Sequence, residues 1–176
     1  MEKVAKEIFY EIKRKLKCLD RNRLIHTYGV LWAALNLAEK YKQNLNEVFL
    51  VAVLHDLLRE EARKKGDILK HGEYAARWFN NLVNKKGVVE KVLKSWGIKV
   101  DEVCEAVSCH VLGEGCNFIG KILFIADYSE PMRKHKEAYI VWRIALKNID
   151  EAFLKSKVLK RVYFESRSRL QRLNGE

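Results

Sequence analysis

Six histidine and aspartate residues lie in apolar stretches of the sequence, where a charged side chain is costly to bury. The clearest case is VAVLHDLLRE at residues 51–60, in which His55 and Asp56 stand side by side among valines and leucines. The others are His26 in RLIHTYGV, His71 in ILKHGEYAA, His110 in VSCHVLG and Asp127 in FIADYSEP. A buried carboxylate needs a partner of opposite charge or a bound cation, so these residues are candidate metal ligands.

These six residues can act together only if the fold brings their side chains close to one another. Taken singly, each is more often a hydrogen-bonded core residue than a ligand. Side chains from several helical segments converge in the interior of a bundle, where facing helices form metal sites. Six groups exceed the needs of one tetrahedral zinc, and mixed imidazole and carboxylate ligands suit iron, manganese, cobalt, nickel or zinc. Two such ions about 3.5–4 Å apart would activate a water for phosphoester or phosphoanhydride cleavage.

The elements that position these residues are predicted to be helices throughout. Apolar residues recur every four positions at Val4, Ile8, Ile12 and Leu16, which predicts an amphipathic helix over 2–18. Further helices are predicted over 21–42, 46–58, about 70–83, 88–95, 100–111, 117–129, 134–147 and 150–172, with RKKGD at 63–67 as a turn. ILFIAD at 122–127 also resembles a buried strand, but no second strand exists to pair with it. The pattern predicts one all-α domain.

Charge, hydropathy and cysteine content limit the function classes. The chain carries 34 Lys and Arg against 23 Asp and Glu, a net charge of +11 that would attract nucleic acid, anionic lipid or a polyphosphate. A lysine-rich surface that is only solvated, with no anionic partner, would give the same net charge. No apolar run is long enough for a membrane span and no secretory signal is evident, so we expect a cytoplasmic protein.

The four cysteines, Cys18, Cys104, Cys109 and Cys116, form no CxxC pair and are expected to be reduced. A zinc site at Cys109, His110 and Cys116 is the alternative.

The order of these residues resembles a known signature. His26, then His55-Asp56, then Asp127 is similar to the H…HD…D pattern of the HD-domain phosphohydrolases, and His71 and His110 match the extra ligands of dinuclear members. Within that group, RLIHT, AVLHDLLR, KHGEYAA and KILFIADYSEPMR resemble the YqeK family, from about Arg23 to Arg133. Members of that family hydrolyse diadenosine tetraphosphate symmetrically to two ADP with a di-iron centre.

The resemblance implies a fold and roles for individual residues. It implies a single HD-domain helical bundle over 1–176, with a motif-bearing core at about 20–133 and C-terminal helices 134–173 packed on it. His26, His55, Asp56 and Asp127 would hold one metal, and Asp56 would bridge to a second metal at His71 and His110. Asp56 and Arg59 would be catalytic, and substrate contacts would come from Arg23, Arg59, Arg133 and Thr27. The implied cofactors are two divalent transition metals, with iron first and Mn, Co, Ni or Zn as alternatives. His135 has no counterpart and is expected to be exposed.

Three functions remain open from the sequence. The first is a phosphohydrolase that acts on a small nucleotide, best represented by diadenosine tetraphosphate. The second is an HD-type phosphatase or phosphodiesterase on a mononucleotide or cyclic nucleotide, because Val111 and Glu114 stand where the family has Thr and Arg. The third is a nucleic-acid-binding module that uses basic blocks such as KRVYFESRSRLQR at 160–172. No membrane partner is expected, and a homodimer is left open by aromatic residues such as Trp142.

Overall fold

The computed structural model describes the backbone of residues 2–85 and 88–173 and the side chains of residues 6–85 and 89–166. All regular elements in these ranges are helical, which confirms the all-α prediction. The helices are α1 Glu2–Leu16, α2 Arg21–Lys40, α3 Leu45–Leu54, α4 Arg59–Lys64, α5 His71–Asn84, α6 Val88–Ser95, α7 Val100–Cys109, α8 Phe118–Ser129, α9 Lys136–Ala145 and α10 Ile149–Leu173, with a 3₁₀ turn at Ile68–Lys70.

Side-chain caps set where three of the central helices begin. Asp20 accepts a hydrogen bond from the backbone N–H of Arg23 and starts α2. Asn44 caps α3 in the same way, and Asn117 caps α8 by accepting from the N–H of Gly120. Such caps satisfy backbone donors that have no partner within the helix. The chain therefore enters each of these helices at a defined residue.

The core lies between α2, α3, α5, α7 and α8. Helix α2 packs against α3 and α8, and α7 packs against α5 and α8. Fully buried side chains such as Leu37, Leu54, Phe79, Ile122 and Phe124 fill the space between them. Helix α10 packs on α8 and α9 and so covers one side of the central group. Among the described residues, no helix is both long and apolar enough to cross a bilayer.

The predicted continuous helix over 46–58 is wrong. Helix α3 ends at Leu54, residues 55–58 form a turn, and a new helix begins at Arg59. The backbone N–H of Leu57 bonds to the carbonyl of Leu54, and that of Arg59 to the carbonyl of Asp56, so the spacing tightens from four residues to three. In a regular helix adjacent side chains diverge by about 100°. The turn instead allows both His55 and Asp56 to be buried, with 0% and 3% of their surface exposed.

The expectation of reduced cysteines is wrong for two of the four. Cys109 and Cys116 form a disulfide, with their Cα atoms 5.4 Å apart. Gly113 and Gly115, both at positive φ, turn the chain back after α7 and bring Cys116 beside Cys109. With the two sulfurs bonded to each other, the alternative zinc site has lost its thiolate ligands. Cys18 and Cys104 are free thiols.

Candidate metal centre

The six residues singled out in the sequence come from five places in the chain. His26 is in α2, His55 and Asp56 are in the turn after α3, and His71 is the first residue of α5. His110 directly follows α7, and Asp127 is in α8. The packing of these helices brings all six together in the interior of the bundle. Their role as ligands remains a proposal.

Asp56 lies between two groups of histidines. Its Oδ1 is 2.9 Å from His71 Nε2, while its Oδ2 is 3.9 Å from the Nε2 atoms of both His26 and His55. Among the described residues, two triplets have donor atoms that all lie within 4.8 Å of one another: His26, His55, Asp56 and Asp56, His71, His110. Asp56 belongs to both triplets, as a carboxylate that bridges two ions must.

Hydrogen bonds to backbone carbonyls orient three of the imidazole rings. A carbonyl oxygen only accepts, so the Nδ1 atom that faces it carries the ring proton and the Nε2 lone pair points the other way, into the cluster. These bonds join His55 to Ala52, His71 to Ile68 and His110 to Val107, at 2.7, 2.6 and 2.6 Å. Such partners commonly hold metal-ligating histidines in position.

The spacing of the ring nitrogens fits a bound cation. His71 Nε2 and His110 Nε2 are 3.0 Å apart, although both rings carry their proton on Nδ1. Two lone pairs that face each other at this distance repel unless one Nε2 carries a second proton or a positive ion lies between them, and the contact of 2.9 Å between His71 Nε2 and Asp56 Oδ1 has the same requirement. Two nitrogens bound at about 2.1 Å to one ion in tetrahedral or octahedral geometry lie about 3.0–3.4 Å apart. The residues present therefore fit a metal.

A glycine allows this close approach of α5 to α7. Gly72 follows His71, and a Cβ atom there would lie 2.5 Å from the carbonyl oxygen of Val107 and 3.0 Å from His110 Nδ1. Any side chain would push the two histidine-bearing elements apart. The close packing of α5 on α7 therefore explains why a glycine follows His71 in KHGEYAA.

The charge states of the cluster suit metal binding. Burial alone would raise the pKa of Asp56, but the neighbouring His55 and the close contact with His71 Nε2 hold the pKa of this carboxyl well below its usual range. Burial, together with the neighbouring His71, lowers the pKa of His110 to about 3. Burial also acts against protonation of His26, yet hydrogen bonds to Asp127 and Glu130 raise its pKa to about 9. Burial would also raise the pKa of Asp127, but Lys160 and His26 hold it well below its usual range. Both carboxylates are thus ionised and His110 is neutral, the forms that coordinate metals, while His26 must release a proton.

Two residues that contact the cluster were missed in the sequence. Lys160 Nζ of α10 is 2.7 Å from Asp127 Oδ2 and donates to the His110 carbonyl oxygen at 3.1 Å. Glu130 Oε1 is 3.4 Å from His26 Nδ1. Lys160 is the first residue of the basic block KRVYFESRSRLQR, which by composition alone indicates a solvent-exposed surface. Only its position in the fold, next to Asp127, distinguishes Lys160 from the other basic residues of that block. The acid before the proline in ADYSEP was the available signal for Glu130.

The predicted arginines approach the same carboxylates, whereas the predicted threonine does not. Arg23 Nη1 is 3.1 Å from Asp56 Oδ2, Arg59 Nη1 is 3.4 Å from Asp56 Oδ1, and Arg133 Nη2 is 3.3 Å from Asp127 Oδ1. The hydroxyl of Thr27 donates to the carbonyl of Arg23 within α2. His135 is exposed, as expected, and its ring caps α9.

A cavity of about 1220 Å³ opens onto the cluster. It is larger than the roughly 300–1000 Å³ of most ligand pockets. Basic residues in its lining are Arg23, Arg59, Arg63, Arg133 and Lys160. Cations beside a metal-ligand cluster suit an anionic ligand that reaches the buried groups from this side.

Comparison with protein families identifies the group to which this arrangement belongs. The sequence model of the HD domain matches residues 23–141, about two thirds of the chain, and this range contains all six cluster residues. The chain belongs to the HD domain family. HD domains bind divalent metals, and the present chain is a hydrolase. Lys160 lies beyond the matched range.

Curated relatives are distant in sequence but align over most of this chain. The symmetrical bis(5'-nucleosyl)-tetraphosphatase of Bacillus subtilis is 24% identical over 143 residues, which are 78% of this chain and 77% of the relative. The enzyme of the same name from Halalkalibacterium halodurans is 28% identical over 153 residues, 80% of this chain and 78% of the relative.

Solved structures agree with the HD fold. A predicted HD superfamily hydrolase involved in NAD metabolism from Clostridium acetobutylicum matches with a TM-score of 0.65 at 22% identity, over 95% of this chain and 88% of the other. A predicted HD superfamily hydrolase from an uncultured Thermotogales bacterium has a TM-score of 0.52 at 21% identity, over 94% and 90% of the two chains. At this level of identity the likeness concerns the fold alone.

Proposed function

We propose that this HD protein is a metal-dependent phosphohydrolase that cleaves a nucleotide phosphoanhydride, and that it converts diadenosine tetraphosphate symmetrically to two ADP. The observation that carries the proposal is the position of Asp56, whose two carboxylate oxygens face different histidine groups. A shared carboxylate between two nitrogen-rich half-sites suits two metal ions, which is the arrangement of two-metal phosphoryl chemistry.

The ligand sets are the two triplets with Asp127 added to the first, because Asp127 Oδ1 lies 3.2 Å from His26 Nε2. His26, His55, Asp56 and Asp127 would hold one ion, and Asp56, His71 and His110 the other. Their imidazole-rich composition favours transition metals, with iron first and Mn, Co, Ni and Zn as alternatives. When bound, the two ions supply an activated water and positive charge at the phosphoryl group.

The protein's own residues bind and orient the phosphate chain. Arg59 and Arg23 flank Asp56 and line the cavity, so they can neutralise phosphate oxygens beside the cluster. Arg133 and Lys160 hold Asp127 on the other side. Cations on both sides of the cluster suit a chain of several phosphates, and the names of the curated relatives support a dinucleoside tetraphosphate.

A mononucleotide or cyclic nucleotide is the second candidate substrate. Val111 directly follows His110 and gives the cavity an apolar side chain that offers no hydrogen bond to a phosphate. Glu114 is exposed at the glycine-rich turn and is not among the described residues that line the cavity. Binding of nucleic acid to the basic surface would leave the buried cluster without a role. Part of that surface, from residue 167 onward, lies outside the described side chains.

The proposal is tested by metal content and product analysis. Protein purified without chelators is expected to contain about two transition-metal ions per chain, and Asp56→Asn is expected to lose both, because Asp56 serves both half-sites. Asp150→Asn is the matched control, since Asp150 is an exposed partner of Lys121 in the first turn of α10 and is not among the described residues that line the cavity. Chromatography of a diadenosine tetraphosphate digest should show ADP alone.

Other outcomes would contradict specific parts of the proposal. ATP and AMP as products would contradict symmetrical cleavage. Faster turnover of a mononucleotide would favour the second candidate. Absence of any transition metal in the wild type would overturn the proposed mechanism.

A further inference from the structure

An aromatic pair on α10 lines the same cavity as the metal cluster. Tyr163 and Phe164 lie three and four residues after Lys160, so all three project from neighbouring positions on one face of the helix. Lys160 reaches Asp127 and His110, which places the start of this face at the cluster. The aromatic pair therefore lies about one helical turn, roughly 5 Å, along the axis from Lys160.

The two rings offer apolar surface at a place where the cavity meets solvent. Tyr163 is 56% exposed and Phe164 is half-buried, and their ring centroids are 5.9 Å apart. Leaving two aromatic rings partly uncovered beside a ligand cavity sacrifices the burial that a core position would give. Because the two ring planes are inclined by 65°, a flat, apolar ligand group that stacks on one ring and meets the edge of the other would recover part of it. The nucleobases are such groups, and base–aromatic stacking tolerates any base because every base has a π face.

We propose that Tyr163 and Phe164 form a stacking site for the base of a nucleotide whose phosphates extend past Lys160 to the metal cluster. The ribose of a nucleotide separates base from phosphate by a distance comparable with one helical turn. The cavity has room for an extended nucleotide, and two of its cations, Lys160 and Arg59, contact carboxylates of the cluster. This inference rests on the proposed function, because it assigns the cavity to a nucleotide. It adds a binding element beyond residue 141, where the HD domain match ends.

The experiment compares a ligand that has a base with one that lacks it. Calorimetry measures the Kd of ADP and of inorganic pyrophosphate for the protein purified without chelators. In the double variant Tyr163→Ala/Phe164→Ala, the Kd of ADP should rise about tenfold or more, the size expected for loss of base stacking, while that of pyrophosphate stays unchanged. Tyr163→Phe keeps the ring and should retain ADP affinity.

Matched variants keep the result interpretable. Val162→Ala removes an exposed apolar side chain from the same helix that is not among the described residues lining the cavity, and it should leave both Kd values unchanged. Tyr163→Ala alone changes a largely exposed residue and replaces the double variant if that variant does not fold. For this single change, a rise of about threefold in the Kd of ADP is the expected result.

Three outcomes would overturn the stacking site: unchanged ADP affinity in the ring-deleted variants, an equal loss for ADP and pyrophosphate, or a wild type that binds ADP no better than pyrophosphate. The proposed function fails separately. A wild type that binds ADP through its base but hydrolyses no nucleotide would contradict phosphohydrolase activity and leave the stacking site intact. Hydrolysis of a nucleotide whose binding does not depend on its base would support phosphohydrolase activity and contradict the stacking site.

Discussion

Lys160 Nζ lies 2.7 Å from Asp127 Oδ2, which ties the long C-terminal helix to a proposed metal ligand. The same ammonium group donates to the carbonyl oxygen of His110 and lies 3.9 Å from the centre of the Phe124 ring. Both partners of the ion pair are largely buried. Lys160 thus compensates the charge of Asp127 in the metal-free protein and holds α10 against α8.

Loss of Lys160 should destabilise the metal-free protein more than the metal-loaded one. Removing one partner of a buried pair costs about 3 kcal/mol when the other charge is left alone. We expect a smaller loss here, because Arg133 and His26 also contact Asp127, and a still smaller one when a bound metal ion compensates Asp127. Thermal unfolding of Lys160→Met with and without a chelator measures the difference. Lys155→Met, an exposed position on the same helix, should show little change. Equal destabilisation of the two forms of Lys160→Met would show that the lysine acts only in packing.

Replacement of His71 should remove one ion and leave the other. His71 is in only one of the two triplets, whereas Asp56 is in both. We therefore expect His71→Gln to keep about one metal per chain by mass spectrometry, and to lose at least about a hundredfold in activity because the two ions act together. Loss of both ions would mean that the half-sites cannot fill independently, and retention of both would exclude His71 as a ligand.

Arg59 should contribute to turnover rather than to folding. Its Nη1 is 3.4 Å from Asp56 Oδ1 and its side chain lines the cavity, so it can face charge that develops on phosphate. Arg59→Ala should lower kcat/KM for diadenosine tetraphosphate about a hundredfold, with unchanged metal content. Arg161→Ala provides the control, because Arg161 is exposed and pairs with Glu165. A decrease of similar size in the control would point to long-range electrostatics.

Reduction of the Cys109–Cys116 disulfide should lower the stability of the protein. The bond closes a short loop directly after His110, and opening such a loop costs about 2 kcal/mol in the chain-entropy description. Thermal unfolding with and without dithiothreitol should show a lower midpoint in the reduced wild type. Cys116→Ser should already have the lower midpoint and be insensitive to the reductant, while Cys18→Ser should respond as the wild type does. An unchanged midpoint on reduction of the wild type would contradict a stabilising bond.

The sequence by itself determined the helical class and the membership of the cluster. Helical spacing of apolar residues gave the order of helices, because burial of an amphipathic face is a local, periodic requirement. The residues of the cluster stood out because an ionisable group in an apolar run needs compensation wherever the run folds. His26, His55, His71, His110 and the two aspartates were predicted on this ground, and the fold brings them together.

Only the tertiary structure decided which distant groups complete the site. Apolar periodicity predicts a helix through residues 55–58, where the structure instead has a tight turn that buries His55 and Asp56. Lys160 and Arg161 are adjacent basic residues, yet Lys160 pairs with Asp127 while Arg161 is solvent-exposed. The Cys109–Cys116 bond depends on a glycine turn that returns the chain to α7. Each of these contacts depends on how separate parts of the chain pack against each other, and residue type and local spacing do not determine that packing.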